Sequence, residues 1–266
     1  MIKGAVIYNK EDANRNKEYI KWLIEEGKKK NLYIELILED NIISKNDDYS
    51  FIINRCRNYN ITKILEEKNL KVFNNYKFCL LGNDKLLAYD FVKSLGIDYP
   101  RVYKNYSEID KNKKVLEKPK DGHGGVGIKI LHDFRNCNFN KNVYQEYVED
   151  YVGDIRFYII NNKIIHSIIR KPQEGSLISN FTKGGKVEIY KANEKDRKLI
   201  NNILENIEID FGGIDFLLLK NGDLLFNEFE DAVGTRMLSY LGINNTMELF
   251  LDNIVNKIKG REIWKI

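Results

Sequence analysis

A lysine followed by a cluster of glycines occupies the middle of the sequence. Lys118 stands in a short apolar segment, and Gly122, Gly124, Gly125 and Gly127 follow it in one loop. A turn needs one or two glycines, whereas four make a flexible flap whose backbone N–H groups can close on an anion. A lysine on the strand before the flap can reach the same anion. These residues predict a phosphate-binding lid.

The glycines also spell G-x-G-x-x-G over residues 122–127, a pattern found in dinucleotide-binding turns and protein kinases. A dinucleotide-binding turn needs a helix after the glycines, but residues 128–131 predict a strand. A Walker loop fails because Ile128 follows the last glycine. A kinase loop does lie between strands, yet the D-F-G at 210–212 has no H-R-D before it and no A-P-E after it. We therefore interpret the loop as a nucleotide lid on an antiparallel hairpin.

Three acidic residues lie close together in a second predicted hairpin. Its turn signal is Asn221-Gly222 between two apolar segments. Antiparallel pairing places Asp215 opposite Glu228, and Glu230 shares a face with Glu228 because side chains alternate. Carboxylates among apolar residues are costly unless a cation joins them, and oxygen ligands favour Mg²⁺ or Mn²⁺. The pattern predicts a metal site, with a buried structural pair as the alternative.

The elements that must position these groups change character along the chain. Strands alternate with helices at first, which predicts a parallel α/β domain, and strands joined by short turns follow from residue 114, which indicates antiparallel sheets. The fold class is therefore a mixed α/β (α+β) fold. The predicted strands are 5–8, 32–38, 51–53, 72–73, 115–117, 128–131, 143–148, 155–160, 164–170, 214–219 and 224–229, and the predicted helices are 16–30, 61–67, 83–95 with Asn83 as N-cap, 194–206 and 247–257.

The composition is that of an ordinary globular protein, with 266 residues of which 43% are hydrophobic and 31% charged. The net charge of +4 includes no arginine-rich arm, so we expect no nucleic-acid partner. Three scattered cysteines without C-x-x-C argue against a disulfide framework or a zinc site. We see no signal peptide or long apolar span, and therefore expect no membrane partner and a location in the reducing cytoplasm.

Several segments occur in an order that is known from one superfamily. Besides E-K-P and the glycine flap from residue 117, they are N-D-K at 83–85, Q-E-Y-V at 145–148, D-I-R at 154–156, Arg170 with S-N at 179–180 and G-G at 184–185, G-I-D at 213–215 and N-E-F-E at 227–230. Together they resemble the ATP-grasp ligases, and most closely the RimK-like carboxylate–amine ligases. The resemblance covers almost the whole chain, and its strength lies in the shared order of the segments.

The resemblance implies an ATP-grasp fold with three parts. These are an N-terminal parallel α/β pre-ATP-grasp domain in residues 1–82, a central lid subdomain in residues 83–150 and a C-terminal subdomain in residues 151–266. The last two are expected to be antiparallel α+β units that grip ATP between them. The implied cofactors are ATP and Mg²⁺ or Mn²⁺, with two ions.

The resemblance also implies where ATP binds. Lys85 and Lys118 are expected to place ammonium groups on its α- and β-phosphates under the glycine flap, with a surface lysine as the alternative for each. Asp154 or Glu149 is expected to hold the ribose hydroxyls. The adenine is expected along a hinge strand made of Gln145, Glu146, Tyr147 and Val148, where plain strand packing is the alternative for Tyr147.

The remaining site residues are assigned to metal and chemistry. The resemblance implies that Asp215, Glu228 and Glu230 hold the metal. Arg156 and Arg170 are expected to stabilise the transferring phosphoryl group and the oxyanion, although a salt bridge on the sheet is the alternative for Arg170. We expect Asn180 to orient phosphate or substrate.

Two departures from the family pattern concern the metal and the substrate. Glu230 stands where the family has asparagine; it still offers an oxygen, and its added negative charge is expected to raise metal affinity. The family's S-P-G is replaced by D-A-V-G-T-R at 231–236, in the segment that faces the acceptor substrate. The substrate of the best-known relatives is therefore not transferred to this chain. Arg55 and Arg236 are our candidates for gripping a carboxylate substrate.

We expect a Mg-dependent ligase that forms a C–N bond. ATP phosphorylates a carboxylate to an acyl phosphate and ADP, and an amine then attacks to give an amide or peptide bond and free phosphate. Both substrates are expected to be small molecules or peptides, and the resemblance alone implies a homo-oligomer. The alternatives are an ATP-binding module without chemistry and a phosphotransferase that stops at a phosphorylated product.

Overall fold

The structure is a computed structural model that describes residues 1–44, 49–120, 122, 124–172 and 186–260. The strands are β1 (Ile2–Tyr8), β2 (Leu32–Leu38), β3 (Phe51–Asn54), β4 (Val72–Phe73), β5 (Val102–Tyr103), β6 (Val115–Pro119), β7 (Lys129–Leu131), β8 (Asn142–Glu146), β9 (Tyr151–Ile160), β10 (Lys163–Lys171), β11 (Lys186–Ile189), β12 (Phe211–Leu219) and β13 (Leu224–Glu230). The helices are α1 (Lys10–Arg15), α2 (Lys17–Lys29), α3 (Glu39–Ile42), α4 (Tyr59–Glu67), α5 (Tyr76–Asn83), α6 (Lys85–Ser94), α7 (Glu194–Leu204), α8 (Arg236–Tyr240) and α9 (Thr246–Ile258), with a 3₁₀ turn at Tyr106–Glu108.

The N-terminal sheet is parallel, in the order β2-β1-β3-β4. Its inner strands are almost continuously apolar, as in a parallel sheet covered on both faces; Ala5, Val6 and Ile7 have no exposed area. The predicted α/β alternation is confirmed here. The chain runs from β1 to β2 on one side and then crosses to β3 on the other. This reversal opens a crevice at the carboxyl ends of β1 and β3.

The lid sheet is antiparallel, in the order β5-β8-β6-β7, and has a small core of its own. The glycine loop joins β6 to β7 as predicted. Gly124, Gly125 and Gly127 have φ values of 62°, 72° and 76°. Side chains rarely adopt this left-handed conformation, and a Cβ on Gly127 would come within 2.8 Å of the Pro119 ring. The loop conformation therefore depends on glycine.

The large sheet is antiparallel, in the order β11-β10-β9-β12-β13. The predicted two-residue turn between β9 and β10 is confirmed: Asn161 and Asn162 have φ values of 49° and 55°, as in a type I′ turn. The predicted register of the β12–β13 hairpin is also confirmed, with Asp215 opposite Glu228. This pairing fixes two acidic side chains on one edge of the sheet.

The prediction that Asn83 caps a helix is wrong. Asn83 is the last residue of α5, and its side-chain amide donates to the Cys79 carbonyl and to the Asp231 carboxylate at 2.8 and 2.9 Å. Asp84 is the N-cap of α6 and accepts from two backbone N–H groups of the first turn. The sequence analysis missed α5 altogether because its apolar residues have no clear helical repeat.

Helix α6 packs against the large sheet and also contacts the lid sheet, where the Tyr89 hydroxyl donates to the Gln145 side chain at 3.4 Å. Its buried residues Ala88, Tyr89 and Val92 belong to the same apolar cluster as Phe157 and Phe216. The predicted limits at residues 82 and 150 stay a prediction. No helix of the described ranges combines the length and the apolar character needed to cross a membrane.

Asn74 joins the N-terminal sheet to the large sheet. It follows β4, and its amide nitrogen donates to the carbonyls of Phe211 and Asp231 at 2.7 and 2.8 Å. Its amide oxygen accepts from the N–H groups of Asp210 and Phe211 at 3.0 and 2.8 Å. The apolar cluster that contains Val6 and Phe51 continues into the large sheet. The two sheets therefore share both hydrogen bonds and a core.

Candidate active site

A cavity of about 820 Å³ lies between the three sheets. Most predicted site residues line it, and one further prediction, Asn180, lies outside the described residues. The predicted residues in its wall are Arg55, Lys118, Gly124, Gly125, Gln145, Glu146, Tyr147, Val148, Asp154, Arg156, Arg170, Glu228, Glu230 and Arg236. Lys85 and Gly122 line a small neighbouring cavity that shares Lys118 and Glu228 with the first.

Two lysines lie between the glycine loop and β13. The Lys118 ammonium donates to the Asn227 side-chain oxygen at 3.2 Å, and burial lowers the pKa of Lys118 to about 8. The Lys85 ammonium donates to the Gly122 carbonyl at 2.5 Å and lies 3.9 Å from the Glu228 carboxylate. Both cations are thus held at the base of the glycine loop, where they can meet phosphate oxygens.

The hinge strand offers fewer free backbone groups than the sequence implies. The Glu146 N–H donates to the Arg101 carbonyl, and the Tyr147 N–H donates to the Lys114 carbonyl, each at 2.8 Å. The Val148 N–H has no partner among the described residues. Of these three donors, the one at Val148 is therefore available to a nucleobase.

Asp154, rather than Glu149, lines the cavity. It lies opposite Arg170 in the β9–β10 pair, and its carboxylate accepts a hydrogen bond of 2.7 Å from the Tyr151 hydroxyl. Glu149 is exposed and pairs with Lys114 at 3.1 Å. Of the two predicted ribose ligands, Asp154 has the position for that role.

Two arginines surround the buried Asp215 carboxylate. Arg156 donates from Nε and Nη2 to the two Asp215 oxygens at 2.7 Å each, and Arg170 donates from Nη2 at 2.7 Å. Burial acts to raise the pKa of Asp215, but the two guanidinium groups outweigh it and hold that pKa below its ordinary value. Arg156 also lies 3.0 Å from Glu230. The buried Nε of Arg170 has no hydrogen-bond partner among the described residues.

Three carboxylates form a cluster beside these arginines. Oxygens of Asp215, Glu228 and Glu230 lie within 4.8 Å of one another. Burial raises the pKa of Glu228, and the neighbouring Glu230 raises it further, which outweighs the opposing effect of Lys85 and Lys118. Two oxygens that share one Mg²⁺ ion lie about 4 Å apart at most, which requires shifts of less than about 1 Å here. The three carboxylates offer only oxygen ligands, and a divalent cation would relieve the repulsion between their negative charges. Both properties fit a hard cation such as Mg²⁺.

The two substrate candidates have different surroundings. Arg55 donates from Nε to the Tyr8 hydroxyl at 2.7 Å, and from Nη2 to the carbonyls of Ala232 and Val233 at 3.1 and 3.0 Å. It therefore holds the segment that follows β13 against the N-terminal sheet. Arg236 is the first residue of α8 and its exposed side chain lines the cavity.

The residues of the cavity wall that the sequence analysis missed include Tyr8, Tyr19, Trp22 and Arg57. Tyr19 and Trp22 carry the apolar spacing of α2, which indicated packing only. Tyr8 ends β1, and Arg57 follows β3 closely. The rule that ligands bind at the carboxyl ends of parallel strands, where strand order reverses, was the available signal.

Comparisons with known proteins agree with this arrangement. A family model described as a RimK-like ATP-grasp domain matches residues 61–252. An uncharacterized protein of Mycoplasma genitalium is 26% identical over 97% of this chain and 94% of its own length. A probable alpha-L-glutamate ligase of Enterobacter sp. is also 26% identical, but the match covers 54% of each chain. This chain thus spans about half the length of that ligase.

Solved structures resemble the whole chain. D-alanine–D-alanine ligase from Bacillus anthracis, complexed with ATP, has a TM-score of 0.75 at 15% identity and covers 98% of both chains. A RiPP-associated ATP-grasp ligase from Chryseobacterium gregarium, in complex with ADP and a leader and core peptide, has a TM-score of 0.74 at 14% identity and covers 97% of both. The likeness confirms the predicted fold.

Proposed function

This chain belongs to the RimK-like ATP-grasp family, and on that premise we propose that it is an ATP-dependent ligase that joins a carboxylate to an amine. Relatives named as alpha-L-glutamate ligases support this reaction class. The observation that carries the proposal is one cavity wall in which Lys118, Arg156 and Arg170 face two acidic residues, Glu228 and Glu230. This combination suits a phosphate chain and a metal ion on one side and a reacting carboxylate on the other.

ATP binding is proposed between the lid sheet and the large sheet. Lys85 and Lys118 would contact the phosphates below the glycine loop, and the burial of both side chains would help to keep the phosphates away from water. The base would receive a hydrogen bond from the Val148 N–H, and Asp154 would accept from the ribose. The support is the position of these groups around the cavity and the free donor at Val148.

Metal binding is proposed at Asp215, Glu228 and Glu230, with two ions. Mg²⁺ held by these residues would neutralise phosphate charge and polarise the phosphoryl group. The carboxylate cluster supports this assignment. Glu230 adds a charge where the family has asparagine, and its contact with Arg156 holds that charge beside the arginines.

The arginines are proposed to act on the reacting atoms. The carboxylate oxygen attacks the γ-phosphorus of ATP and ADP leaves; the amine nitrogen then attacks the acyl carbon, phosphate leaves, and the amine loses a proton to water. Negative charge grows on the phosphoryl group first and on the acyl oxygen second. Arg170 can donate its Nε–H, which has no partner among the described residues, to either, while Asp215 holds both guanidinium groups in place. Asn180 is retained as a proposed orienting residue on the resemblance alone.

The test is a screen for ADP release with carboxylate and amine libraries. A ligase releases ADP only when both substrates are present, and hydroxylamine traps its acyl phosphate as a hydroxamate. Binding of ATP with Mg²⁺ but no stimulated turnover would support a binding module instead. A phosphorylated product that gives no hydroxamate would support a phosphotransferase.

A further inference from the structure

The crevice at the carboxyl ends of β1 and β3 forms one end of the cavity and has residues of its own. Tyr8 closes β1, and Arg57 follows β3; both line the cavity. In open parallel sheets, ligands bind at the point where strand order reverses. In this sheet, that point lies between β1 and β3. The topology therefore indicates a ligand subsite on the N-terminal sheet, apart from the nucleotide groups on the lid and large sheets.

Arg57 has an unusual backbone conformation at this place. Its φ is 62°, in the left-handed region, and every other non-glycine residue with positive φ in the described ranges is an asparagine. Buried contacts hold the turn: the Cys56 N–H donates to the Asn54 side chain at 3.0 Å, and Asn54 donates to Thr62 at 2.5 Å. Strain that is fixed by its surroundings is typical of functional positions. The turn directs a charged residue to the cavity wall.

Two arginines at this end of the cavity have no described acidic group within ion-pair distance. Arg57 and Arg236 both line it, and neither forms an ion pair with a described residue. The buried Asp231 carboxylate interacts electrostatically with Arg57 without a salt bridge, and Asp12 in the cavity wall accepts from the Asn9 amide at 2.9 Å. Glu18 is exposed. Two guanidinium groups are therefore left for an anion from solution.

Two tyrosine hydroxyls add donors to the same wall. The Tyr8 oxygen accepts a hydrogen bond from Arg55, which leaves its proton for another acceptor. The Tyr19 hydroxyl is buried and has no partner among the described residues. A buried hydroxyl without a partner is costly, and a ligand acceptor removes that cost. Donors from arginine and tyrosine together fit a carboxylate, which accepts through two oxygens.

An apolar wall lies next to these donors. The rings of Tyr19 and Trp22 pack edge to face with centroids 6.1 Å apart, and the Arg55 guanidinium lies 4.5 Å from the Tyr19 ring centroid. Trp22 and Met237 also line the cavity. A ligand here would place an aliphatic or aromatic part against these side chains.

We propose that this crevice binds a carboxylate carried on an apolar arm of one substrate, with Arg57 as its principal charged contact and Arg236 as the second. This carboxylate is distinct from the one that reacts, because Arg156 and Arg170 serve the reacting group on the large sheet. Its identity as part of a substrate rests on the proposed ligase function. The binding itself does not.

A fluorescence titration tests the subsite without turnover. The chain has two tryptophans, Trp22 and Trp264, so Trp264→Phe leaves Trp22 as the single indole reporter. The probes are hexanoate and 3-phenylpropanoate, each paired with its primary amide, with Mg²⁺ and a non-hydrolysable ATP analogue present. We expect saturable changes with the acids and at least ten-fold weaker binding of the amides.

Arg57→Asn is the informative variant because asparagine tolerates the left-handed backbone while it removes the guanidinium. It should weaken acid binding at least ten-fold and leave amide binding and ATP-analogue binding unchanged. Arg135→Asn, at an exposed arginine, is the matched control. Equal binding of acids and amides, undiminished acid binding by Arg57→Asn, or no saturable signal from any acid would overturn the subsite.

The two proposals fail separately. If the protein binds acids better than amides and this preference depends on Arg57, but no substrate pair releases ADP, then the anion subsite is supported and the ligase function is not. ADP release with hydroxamate trapping, but no dependence of acid binding on Arg57, would leave the ligase standing and remove the subsite.

Discussion

Arg156 and Asp215 lie directly opposite each other on β9 and β12 and share two hydrogen bonds of 2.7 Å in the interior of the large sheet. The side chain of Asp215 has no exposed area, so its charge depends on Arg156 and on Arg170. A buried carboxylate that loses a partner keeps its desolvation penalty. The pair therefore links the stability of the sheet to the geometry of the site.

We expect Arg156→Met to lower the free energy of unfolding by about 3 kcal/mol, because Asp215 would keep only Arg170 as its cationic partner. Urea denaturation with metal-free protein measures this change. Arg135→Met is the matched control, since Arg135 makes the same two-pronged contact with Asp133 on the surface. Similar stability losses in both variants would contradict the assigned importance of burial.

We expect Glu228→Gln to abolish metal-dependent turnover and to weaken Mn²⁺ binding at least ten-fold in the presence of an ATP analogue. The substitution removes a charged oxygen from the carboxylate cluster while it keeps the shape of the side chain. Electron paramagnetic resonance of free Mn²⁺ gives the affinity, and circular dichroism checks the fold. Glu188→Gln, at an exposed pair with Lys171, is the control. An active Glu228→Gln protein would remove the metal assignment.

We expect ATP affinity to fall as the pH rises above about 8. Burial lowers the pKa of Lys118 to about 8, so the ammonium is present below that pH and lost above it. Phosphate binding favours the protonated form, and the dissociation constant should rise up to about ten-fold per pH unit above 8. Calorimetric titrations at pH 7, 8 and 9 test this. Lys118→Arg stays charged and should give a flat profile; a flat profile in the unsubstituted protein would refute the role of Lys118.

We expect His166 to make stability depend on pH below about 6.5. Burial lowers the pKa of His166 below its usual 6.5. At pH values between the lowered and the usual pKa, the unfolded chain therefore binds a proton that the folded chain does not bind. Its contribution is complete above pH 6.5 and is lost as the pH falls toward the lowered pKa. Urea denaturation at pH 7.5 and 5.5 should therefore show a smaller difference in His166→Gln. The exposed His132→Gln should keep the full difference.

The sequence predicted the structure best where alternating apolar and polar residues occur together with turn residues. The facing positions of Asp215 and Glu228 follow from two apolar strands and one hairpin turn, which are local features. The anion-binding character of the glycine loop likewise follows from residues beside it. Spacing alone thus indicates which side chains face one another within a hairpin.

Other features depend on partners far away in the sequence. Asn83 does not cap α6 because the Asp231 carboxylate, from the end of β13, engages its amide. The left-handed backbone at Arg57 depends on the contact between Asn54 and Thr62. The engagement of Arg55 by carbonyls after β13 is of the same kind. No local pattern encodes these contacts, so they emerged only from the three-dimensional arrangement.

The four hydrogen bonds of Asn74 have a consequence for motion. They bind the N-terminal sheet to the ends of β12 and β13, so we expect these two sheets to move together as one rigid body. The lid sheet has a small core of its own, and it meets the rest of the described residues through Val143, the Lys118–Asn227 contact and the Tyr89–Gln145 contact. The crevice at β1 and β3 is therefore expected to keep its shape when the lid closes over a nucleotide.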